Sequence, residues 1–563
     1  MAFLNIPKGK SEFEKIRREG LYYVDKTGLI GEILKSSGTQ VTLITRPRRF
    51  GKTLGMSTLE CFLDIQKDSK SLFEGLEISK QKDICDAWMN QWPVMSLSLK
   101  AVEGNDFSTA YEQFAYEIGE LYKKHEYLMQ SSALNEEEKK LFWNIAYKHA
   151  GKVEVMRSLQ ILSEFLNRHY HKNVILLIDE YDVPMAKATS NGYYKEMLEI
   201  MKGFMQALKD NPYLQLAVVT GCLKIAKESI FTGTNNFVSN TITSSHLNEY
   251  YGFVQSEVDK ILEDAGIKGK KEVIKKWYDG FVFGGKKDIY NPWSITNFLD
   301  KRKIDIYWAN TSSNSLIGHL IQRGNSAIKE AMEDLLSGKE LVTEIDEQIV
   351  FDQLDDNMTA IWSLLLSSGY LKINQAPKDA AASNQNYHLS LTNHEVDVMF
   401  RRMIDGWFKK YTPNYNAFVK ALLADDVRAM NHYINRIALE TFSFFDTGKG
   451  PSASAEPERF YPGFVLGLMV DLQDNYHITS NRESGFGRYD VMLEPFDKSK
   501  TAYILEFKVH NPRTEDSLED TVSKALLQID EKNYDAELIA DGFRKEQICH
   551  FGFAFEGKHV LIG

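Results

Sequence analysis

An eight-residue segment limits what this chain can fold into more than any other part of its sequence. Residues 46–53 read Arg-Pro-Arg-Arg-Phe-Gly-Lys-Thr and stand between an apolar run, Val41–Ile44, and a helical pattern that begins at Leu54. A Gly-Lys-Thr turn between a buried strand and a helix is typical of a phosphate loop, which surrounds a phosphate with backbone amides. The pattern asks for glycine at its first position, where this chain has Arg46, so a basic turn entering a helix is the alternative.

The first part of the chain alternates apolar runs with amphipathic segments. Continuous apolar runs separated by helices indicate a parallel sheet with both faces covered. We therefore predict an α/β fold with a parallel sheet for residues 1–245. The predicted strands are Val41–Ile44, Val94–Leu99, Val174–Ile178 and Leu214–Thr220.

The rest of the chain divides by composition. Residues 246–445 read as mostly helical, with aromatic-rich turns such as Trp277–Phe281 and Tyr290–Trp293. The small-residue stretch Gly448–Ala455 contains proline and predicts a linker, so a third region is expected at 446–563. In that region we predict an apolar helix, two alternating strands and another helix, at Gly463–Val470 and near 489–494, 501–509 and 519–534.

If residues 46–53 form a phosphate loop, each residue type has a chemical task. We expect Lys52 to reach the β- and γ-phosphates of ATP and Thr53 to ligate Mg²⁺ through its hydroxyl. Gly51 lets the backbone amides approach the phosphate, and the positive end of the helix faces the anion. The side chains expected to line the rest of the cradle are Arg46, Arg48, Arg49 and Phe50.

A carboxylate motif ends a later apolar strand. Ile175–Ile178 leads directly into Asp179 and Glu180. In phosphate-loop enzymes the first such carboxylate holds Mg²⁺, and the second can polarise the attacking water as a base. The alternative is a strand that simply ends in a polar turn. Because the two motifs occur in the expected order on predicted buried strands, the pair favours a nucleotide site.

The next apolar run ends at Thr220, which is placed to contact the γ-phosphate or the attacking water as a sensor. The alternative is a strand end followed by a turn glycine, Gly221. Lys224 and Lys227 follow, and in a homo-oligomer they can supply charge to a neighbouring subunit's nucleotide. A solvated helix face is the simpler interpretation of these two lysines.

Near the C-terminus, acidic and basic residues fall on one predicted strand face. Glu506 and Lys508 share a face by period-two alternation. Asp490 lies on the preceding strand, and a hairpin can bring its carboxylate beside Glu506. Two such carboxylates bind a hard divalent cation, which activates water for phosphodiester hydrolysis while a lysine offsets developing charge. The alternative is a salt bridge on an exposed strand face.

Composition excludes several protein classes. The 563 residues exceed one core, so about two to four domains are expected. A formal net charge of −11 argues against non-specific coating of nucleic acid, so any DNA contact must use a local patch. No apolar stretch is long enough to span a bilayer, and the first residues lack a signal peptide's apolar core. Four widely spaced cysteines suggest neither a metal motif nor a disulfide framework, which favours the cytoplasm.

Taken together, the motifs resemble a known family. Residues 46–53, the tail Gly485–Val509 and several short segments resemble the AAA-ATPase-like proteins of bacteria and archaea that carry a C-terminal PD-(D/E)XK nuclease-like domain. That family commonly has this arginine-rich form of the loop, so by resemblance Arg46 is a family trait. The short segments are Tyr23–Thr27, Leu177–Asp182, Thr220–Gly221, Ser229–Gly233, Trp277–Gly280, Asn291–Ser294 and Tyr307–Trp308.

The resemblance implies a fold and further site residues. It implies an N-terminal P-loop NTPase, a helical middle region and a C-terminal α/β restriction-endonuclease-like domain. Asp490, Glu506 and Lys508 match the nuclease pattern of Asp followed by Glu-x-Lys. Gln528 and Tyr534 match a glutamine and a tyrosine that lie near the metal or DNA in related nucleases, although their spacing is wider than in some relatives.

The resemblance also points to residues before these strands. A first helix in such nucleases often supplies an acidic residue, for which Glu456 and Glu458 are candidates, with solvated linker charges as the alternative. Pro462 stands where a histidine is expected after Tyr461, so that end of the site differs from the pattern.

These motifs predict an ATP-binding and ATP-hydrolysing protein coupled to a metal-dependent nuclease domain that cleaves DNA. One alternative is a nucleotide-dependent switch or scaffold whose nuclease-like domain binds nucleic acid without cutting it. Another is an enzyme directed at RNA or tRNA. The expected cofactors are ATP and Mg²⁺, the expected partner is nucleic acid with DNA favoured, and no membrane partner is expected.

Overall fold

The apolar runs predicted as strands lie side by side in the computed structural model of the protein. They are β1 Val41–Thr45, β2 Val94–Ser98, β3 Val174–Asp179 and β4 Leu214–Gly221, and β5 Phe237–Asn240 joins them. The five strands form one parallel sheet in the order β2-β3-β4-β1-β5. Every residue of β1 and β3 is buried, as expected for strands covered on both faces. The predicted α/β fold is confirmed, with β5 as an addition.

The strand order brings three chemically important strand ends together. β4 lies between β1, which leads into residues 46–53, and β3, which ends at Asp179. Ile44 of β1 is the register partner of Thr220 in β4. Because neighbouring parallel strands end at the same edge of a sheet, the loop, Thr220 and Asp179 meet at one edge.

The described chain divides into two compact units. One contains Met1–Ile317 and Glu340–Asp397, and the other contains Gly318–Lys339 and Val398–Gly563. The domain boundaries at 245 and 445 remain predictions. The structure describes all residues except 1–3, 36–39, 210, 225–236, 310–317, 319, 322–325, 348–357, 378–385, 410–414, 442–464, 466–468, 470–471, 473–474, 485–486 and 558.

Helices occupy much of the described chain, and several begin at side-chain caps. Asp106 accepts a hydrogen bond from the Thr109 amide at 2.9 Å, which satisfies a first-turn donor. Within the described residues, no helix combines the length and apolarity needed to cross a bilayer. The α-helices are Phe13–Arg18, Gly28–Lys35, Lys52–Leu63, Lys70–Phe73, Lys82–Trp88, Phe107–Lys123, Glu136–Ala146, Lys152–Met156, Ser158–Tyr170, Val183–Asn191, Tyr194–Met205, Gln255–Asp264, Lys271–Tyr278, Pro292–Lys301, Ser326–Leu336, Met358–Ser367, His394–Lys409, Tyr415–Leu423, Val427–Thr441, Leu518–Lys532 and Ala536–Ala540.

The region predicted as mostly helical also contains two small antiparallel sheets. Their strands are short and interrupted by turns, so they give little periodic signal. One sheet has the order β6-β8-β7 and the other has the order β10-β11-β9. These strands are β6 Phe253–Val254, β7 Phe281–Phe283, β8 Lys286–Tyr290, β9 Leu341–Glu344, β10 Leu371–Gln375 and β11 Asn386–Leu391.

The second unit contains a five-stranded mixed sheet. The sheet has the order β12-β13-β14-β15-β16, in which β14 and β15 are parallel and the other pairs are antiparallel. The predicted strands near 489–494 and 501–509 and the predicted helix near 519–534 are present as β13, β14 and Leu518–Lys532. The strands are β12 Tyr476–Ser484, β13 Gly487–Pro495, β14 Ala502–Val509, β15 Ile548–Glu556 and β16 His559–Ile562.

The helix Val427–Thr441 covers the β16 edge of this sheet. The side-chain amide of Asn431 donates to the Ile562 oxygen and accepts from the Ile562 amide, each at 2.8 Å. Asn435, one turn later, makes the same pair of bonds to Val560 at 2.6 and 2.9 Å. Apolar residues of this helix, including Met430 and Ile434, belong to the same buried core as the strands. The helix therefore belongs to this domain, because it satisfies backbone groups of the edge strand β16 and shares the apolar core of the sheet.

Candidate functional site

Residues 46–53 turn from β1 into the helix Lys52–Leu63 through two left-handed residues. Arg49 has a φ of 66°, and Gly51, the N-cap of the helix, has a φ of 88°. Glycine adopts that conformation without strain because it has no Cβ. The first-turn amides of the helix lack intrahelical acceptors and lie at this end. The turn therefore presents free donors and the positive end of a helix dipole, as an anion site requires.

The Lys52 side chain lies inside the loop. Its side chain is almost fully buried, and its ammonium donates to the oxygens of Arg46 and Pro47 at 2.9 and 3.1 Å. Burial by itself would lower the lysine pKa, but the Cys222 thiol and the carboxylates at 179–182 outweigh it and raise the pKa. Lys52 is therefore a fixed positive charge within the turn.

Asp179 joins the loop to β4 through its two oxygens. The Thr53 hydroxyl donates to Oδ2 at 2.7 Å, and the Thr220 hydroxyl donates to Oδ1 at 2.5 Å. Burial raises the Asp179 pKa, while the two hydroxyl bonds act in the opposite direction. The structure thus brings together the predicted magnesium ligands, Thr53 and Asp179, and the predicted sensor, Thr220.

Glu180 follows Asp179 at the end of β3 in a left-handed conformation. Its φ of 57° is uncommon for a residue with a Cβ, and its side chain is half-buried. The turn is closed on both sides, since the Tyr181 amide donates to the Thr220 oxygen and the Val183 amide donates to the Glu180 oxygen. The chain therefore holds Glu180 at the same sheet edge as Asp179.

Arg46 lies apart from the other predicted loop residues. Its guanidinium is completely buried, and burial lowers its pKa to about 10. It lies 5.0 Å from the Phe283 ring centroid, and its geometry supports bracing of the 240–247 segment rather than contact with a phosphate. At 2.7–3.4 Å it donates to the backbone oxygens of Thr45, Asn240, Thr241 and Leu247.

Arg48 and Arg49 are exposed. The Arg48 backbone oxygen and the Arg49 side chain nevertheless contact residues far along the sequence. The Arg48 backbone oxygen accepts from the Trp308 indole N–H at 3.0 Å and from the side-chain amide of Asn291 at 3.3 Å. The Arg49 guanidinium lies 4.3 Å above the Trp293 ring. These contacts explain the aromatic-rich segments noted in the sequence, because they hold the loop.

Phe50 is the buried anchor of the loop. Its ring packs edge-on against Phe281 and Phe283, with centroid distances of 4.8 and 5.3 Å. Its backbone oxygen accepts from the Gly252 amide at 3.2 Å. Phe50 thus fixes the loop to the β7 region rather than lining a ligand with its ring.

A buried carboxylate holds the segment that contains Trp308. Glu395 Oε1 accepts from the backbone amides of Tyr307 and Trp308 at 2.5 and 2.7 Å, and Oε2 accepts from the Ser294 hydroxyl at 2.8 Å. Glu395 is completely buried, and burial raises its pKa to about 7. Nothing in its local sequence pattern singled out this residue.

In the second unit, strand register brings the predicted carboxylates together. Val491 of β13 is the partner of Leu505 in β14. One step along this antiparallel register, Asp490 faces Glu506, a position from which side chains on one face contact each other. The Asp490 carboxylate also accepts from the Phe507 amide at 2.8 Å, so the hairpin fixes its position.

Glu506 is a buried carboxylate with one unsatisfied oxygen. The residue is 3% exposed, and Oε2 has no hydrogen-bond partner in the described structure. Burial, reinforced by the Asp490 charge, raises its pKa to about 8. Because the pKa stays raised in spite of the Lys508 charge, this acid ionises readily only when further positive charge is supplied nearby.

Gln528 links the members of this cluster. Its amide nitrogen donates to Glu506 Oε1 and, at 3.1 Å, to the Tyr534 hydroxyl. Its amide oxygen accepts from the Lys508 ammonium at 2.7 Å. The structure therefore brings Asp490, Glu506, Lys508 and Gln528 together, and Tyr534 joins them in spite of its wider spacing.

Comparisons with known proteins match both halves of this geometry. Residues 7–231 match the family described as predicted AAA-ATPase, and residues 456–563 match the PD-(D/E)XK nuclease superfamily. By these two matches, the chain combines an AAA-ATPase-like domain at residues 7–231 with a PD-(D/E)XK nuclease-superfamily domain at residues 456–563. It is also 26% identical, over 564 residues, to an Azotobacter chroococcum mcd 1 protein described as uncharacterized protein in vnfD 5'region. The alignment covers 96% of this chain and 95% of that protein, so the similarity includes the region between the two domains.

The PD-(D/E)XK domain fits a divalent cation at Asp490 and Glu506. Among the described residues, the buried Glu506 Oε2 has no hydrogen-bond partner, and the Asp490 carboxylate adds negative charge beside it. Both are oxygen ligands of the kind that Mg²⁺ prefers. Among the described residues there is no group of three or more His, Cys, Asp or Glu side chains suited to one metal ion.

In the AAA-ATPase-like domain, the structure places one further acidic residue, Asp182, beside the predicted site residues. Asp182 is buried, and its Oδ2 accepts from the amides of Cys222 and Leu223 at 2.9 Å each. Burial and the Glu180 charge raise its pKa to about 6. The sequence feature that could have pointed to Asp182 is its position two residues after Glu180. Asp182 ties the end of β3 to the turn after β4.

Several predicted residues lie outside the part of the chain that the structure describes. They belong to the segment after β4, to the region before β12 and to the two positions between β12 and β13. Lys224 is described and follows β4 directly after the turn at Cys222 and Leu223. The residues outside are Lys227, Ser229–Gly233, Gly448–Ala455, Glu456, Glu458, Tyr461, Pro462, Gly485 and Phe486.

Proposed function

We propose that this protein binds and hydrolyses Mg-ATP and cleaves DNA with its PD-(D/E)XK domain. The observation that supports the cleavage activity is the buried Glu506 Oε2, which lies near Asp490 and Lys508 and has no hydrogen-bond partner among the residues that the structure describes. Burying such an oxygen without a partner is costly. A divalent cation shared with Asp490 would satisfy it, and metal-dependent phosphodiester hydrolysis needs a cation in such a position.

The surrounding residues support cleavage because they fix one another. When bound, a divalent cation would supply an activated water and offset charge on the phosphate. Lys508 is suited to orient that water, because Gln528 holds its ammonium at 2.7 Å. Gln528 also donates to Glu506, so the lysine and the carboxylate keep a fixed separation. The Phe507 amide restrains Asp490 in the same way.

The first unit supports nucleotide binding through a different set of contacts. Lys52 supplies a buried positive charge, and Thr53 and Asp179 form a hydroxyl–carboxylate pair of the kind that holds Mg²⁺ beside a phosphate. Glu180 is the candidate base that takes a proton from the attacking water. Thr220, bonded to Asp179, is the candidate sensor of the γ-phosphate. We propose that ATP binding or hydrolysis gates cleavage.

Parallel assays on the full chain test this function. Wild type, Lys52→Ala and Glu506→Gln are incubated with plasmid DNA, single-stranded DNA or RNA, with Mg²⁺ or Mn²⁺, and with or without ATP. Glu556→Gln is the matched control, because Glu556 is an exposed carboxylate and the last residue of β15. We expect Lys52→Ala to lose ATP hydrolysis. We expect Glu506→Gln to lose nucleic-acid cleavage and to keep ATP hydrolysis.

The outcomes separate the proposed functions. Hydrolysis of ATP without cleavage of any nucleic acid would favour a nucleotide-dependent switch with a binding-only nuclease fold. If only RNA is cleaved, the substrate is RNA and not DNA. Cleavage that persists in Glu506→Gln at the wild-type rate would remove the assignment of the Asp490–Glu506 site.

A further inference from the structure

Two backbone oxygens of the phosphate loop are held by donors from outside the loop. The Arg48 oxygen accepts from Trp308 and Asn291, and the Phe50 oxygen accepts from Gly252. These donors lie more than 200 positions later in the chain and are absent from the sequence pattern that defines the loop. Each bond orients one peptide plane of the turn.

Each of these bonds to a backbone oxygen also fixes the direction of the N–H group in the same peptide. In a trans peptide the C=O group and the following N–H group point in opposite directions. Fixing the Arg48 oxygen outward therefore turns the Arg49 amide inward, and fixing the Phe50 oxygen does the same for the Gly51 amide. A loop that surrounds a phosphate depends on such inward amides.

The donors are themselves well supported. The Trp308 ring is packed between Phe281 and Tyr370, with centroid distances of 5.3 Å to each. Glu395 holds the backbone on which Trp308 stands, and its other oxygen binds Ser294 in the helix that begins after Asn291. Asn291 caps that helix by accepting from the Trp293 amide at 2.8 Å. The bonds to the loop are therefore made by fixed groups rather than by mobile side chains.

We infer that Asn291, Trp308 and Glu395 form a loop clamp that positions the Arg49 and Gly51 amides for the β- and γ-phosphates. Asn291 and Trp308 touch the loop directly, and Glu395 acts through the Trp308 backbone. All three are positioning residues. The inference rests on nucleotide binding at residues 46–53, and it adds determinants of phosphate affinity that lie outside the loop and outside the ends of β3 and β4.

The test uses Trp308→Phe in the full chain, because phenylalanine keeps an aromatic ring but lacks the indole N–H. Glu395→Ala removes the support, and Glu395→Gln restores an acceptor for the two amides. Trp143→Phe is the matched control, since Trp143 is 44% exposed and lies on the helix Glu136–Ala146. Hydrogen exchange of the 46–53 amides is measured without nucleotide, and the Kd for Mg-ATP and Mg-ADP is measured by calorimetry.

We expect Trp308→Phe and Glu395→Ala to speed exchange of the loop amides and to raise both Kd values by about fivefold to tenfold. Glu395→Gln and Trp143→Phe should match wild type. Unchanged loop exchange in Trp308→Phe overturns the clamp, and this variant decides the question if Glu395→Ala does not fold. If wild type binds neither nucleotide, the proposed function fails, and the exchange measurement still decides whether the clamp exists.

Discussion

Replacing Glu395 with glutamine should stabilise the first unit at alkaline pH and change it little at acidic pH. Burial raises the pKa of this carboxyl from an ordinary 4.5 to about 7, against hydrogen bonds from Ser294, Tyr307 and Trp308 that favour the ionised form. The folded protein thus keeps the proton to a higher pH than the unfolded chain does. Since the folded state binds more protons between these values, stability falls as pH rises, and the full cost is present above pH 7.

The size of this effect follows from the two pKa values. Each unit of pKa difference corresponds to about 1.4 kcal/mol, so ionising the buried Glu395 costs the fold up to about 3 kcal/mol. Glutamine has the same shape and cannot ionise, and its amide oxygen can accept from both backbone amides. We therefore expect the thermal midpoint of the variant to exceed that of wild type by roughly 5 °C at pH 8.5 and to match it near pH 5.

Differential scanning calorimetry of both proteins from pH 5 to pH 8.5 measures this difference. Asp182 and Asp279, whose pKa values are raised to about 6 and about 7, titrate in the same range, but they are common to both proteins and cancel. The exposed Glu196, changed to glutamine, is the control. A difference that does not vary with pH, or a variant that is less stable at pH 8.5, would refute the reasoning.

The other sites give predictions that need simpler measurements. Arg46→Met leaves several buried carbonyls without a donor, so urea unfolding of the first unit should show a loss of about 3–5 kcal/mol, and a loss below about 1 kcal/mol contradicts the bracing role. Mn²⁺ should raise the thermal midpoint of the second unit in wild type and should fail to do so in Glu506→Gln; an equal rise in both argues against a cation at this residue. Tyr534→Phe removes a partner of Gln528, so DNA cleavage should slow by about tenfold or less while ATP hydrolysis stays constant. Equal cleavage rates would exclude Tyr534 from the site.

The local parts of both sites were predictable from the sequence. Period-two alternation put Glu506 and Lys508 on one strand face. In the structure both residues lie in β14, and both side chains contact Gln528. Apolar runs ending in Asp179 and Thr220 gave buried parallel strands whose ends meet at the loop. These inferences succeed because strand alternation and parallel packing are set by neighbouring residues.

The parts that were not predictable depend on contacts distant in the sequence. Nothing near Arg48 indicates that Trp308 binds its oxygen, and the pattern around Glu395 is that of an ordinary helix start. Arg46 could be read as a charge for the phosphate, because periodicity does not tell whether a basic side chain at a strand end turns inward or outward. The structure turns it into a buried brace instead.

The two asparagines that pair with β16 have a consequence for the nuclease-superfamily domain taken alone. A fragment that begins at 446 would lack the helix Val427–Thr441 and so leave the Val560 and Ile562 backbone groups without the partners they have in the chain. An open sheet edge above a bared apolar surface is a template for aggregation. Such a fragment should self-associate through β16, whereas one that also includes Tyr415–Thr441 should remain dispersed.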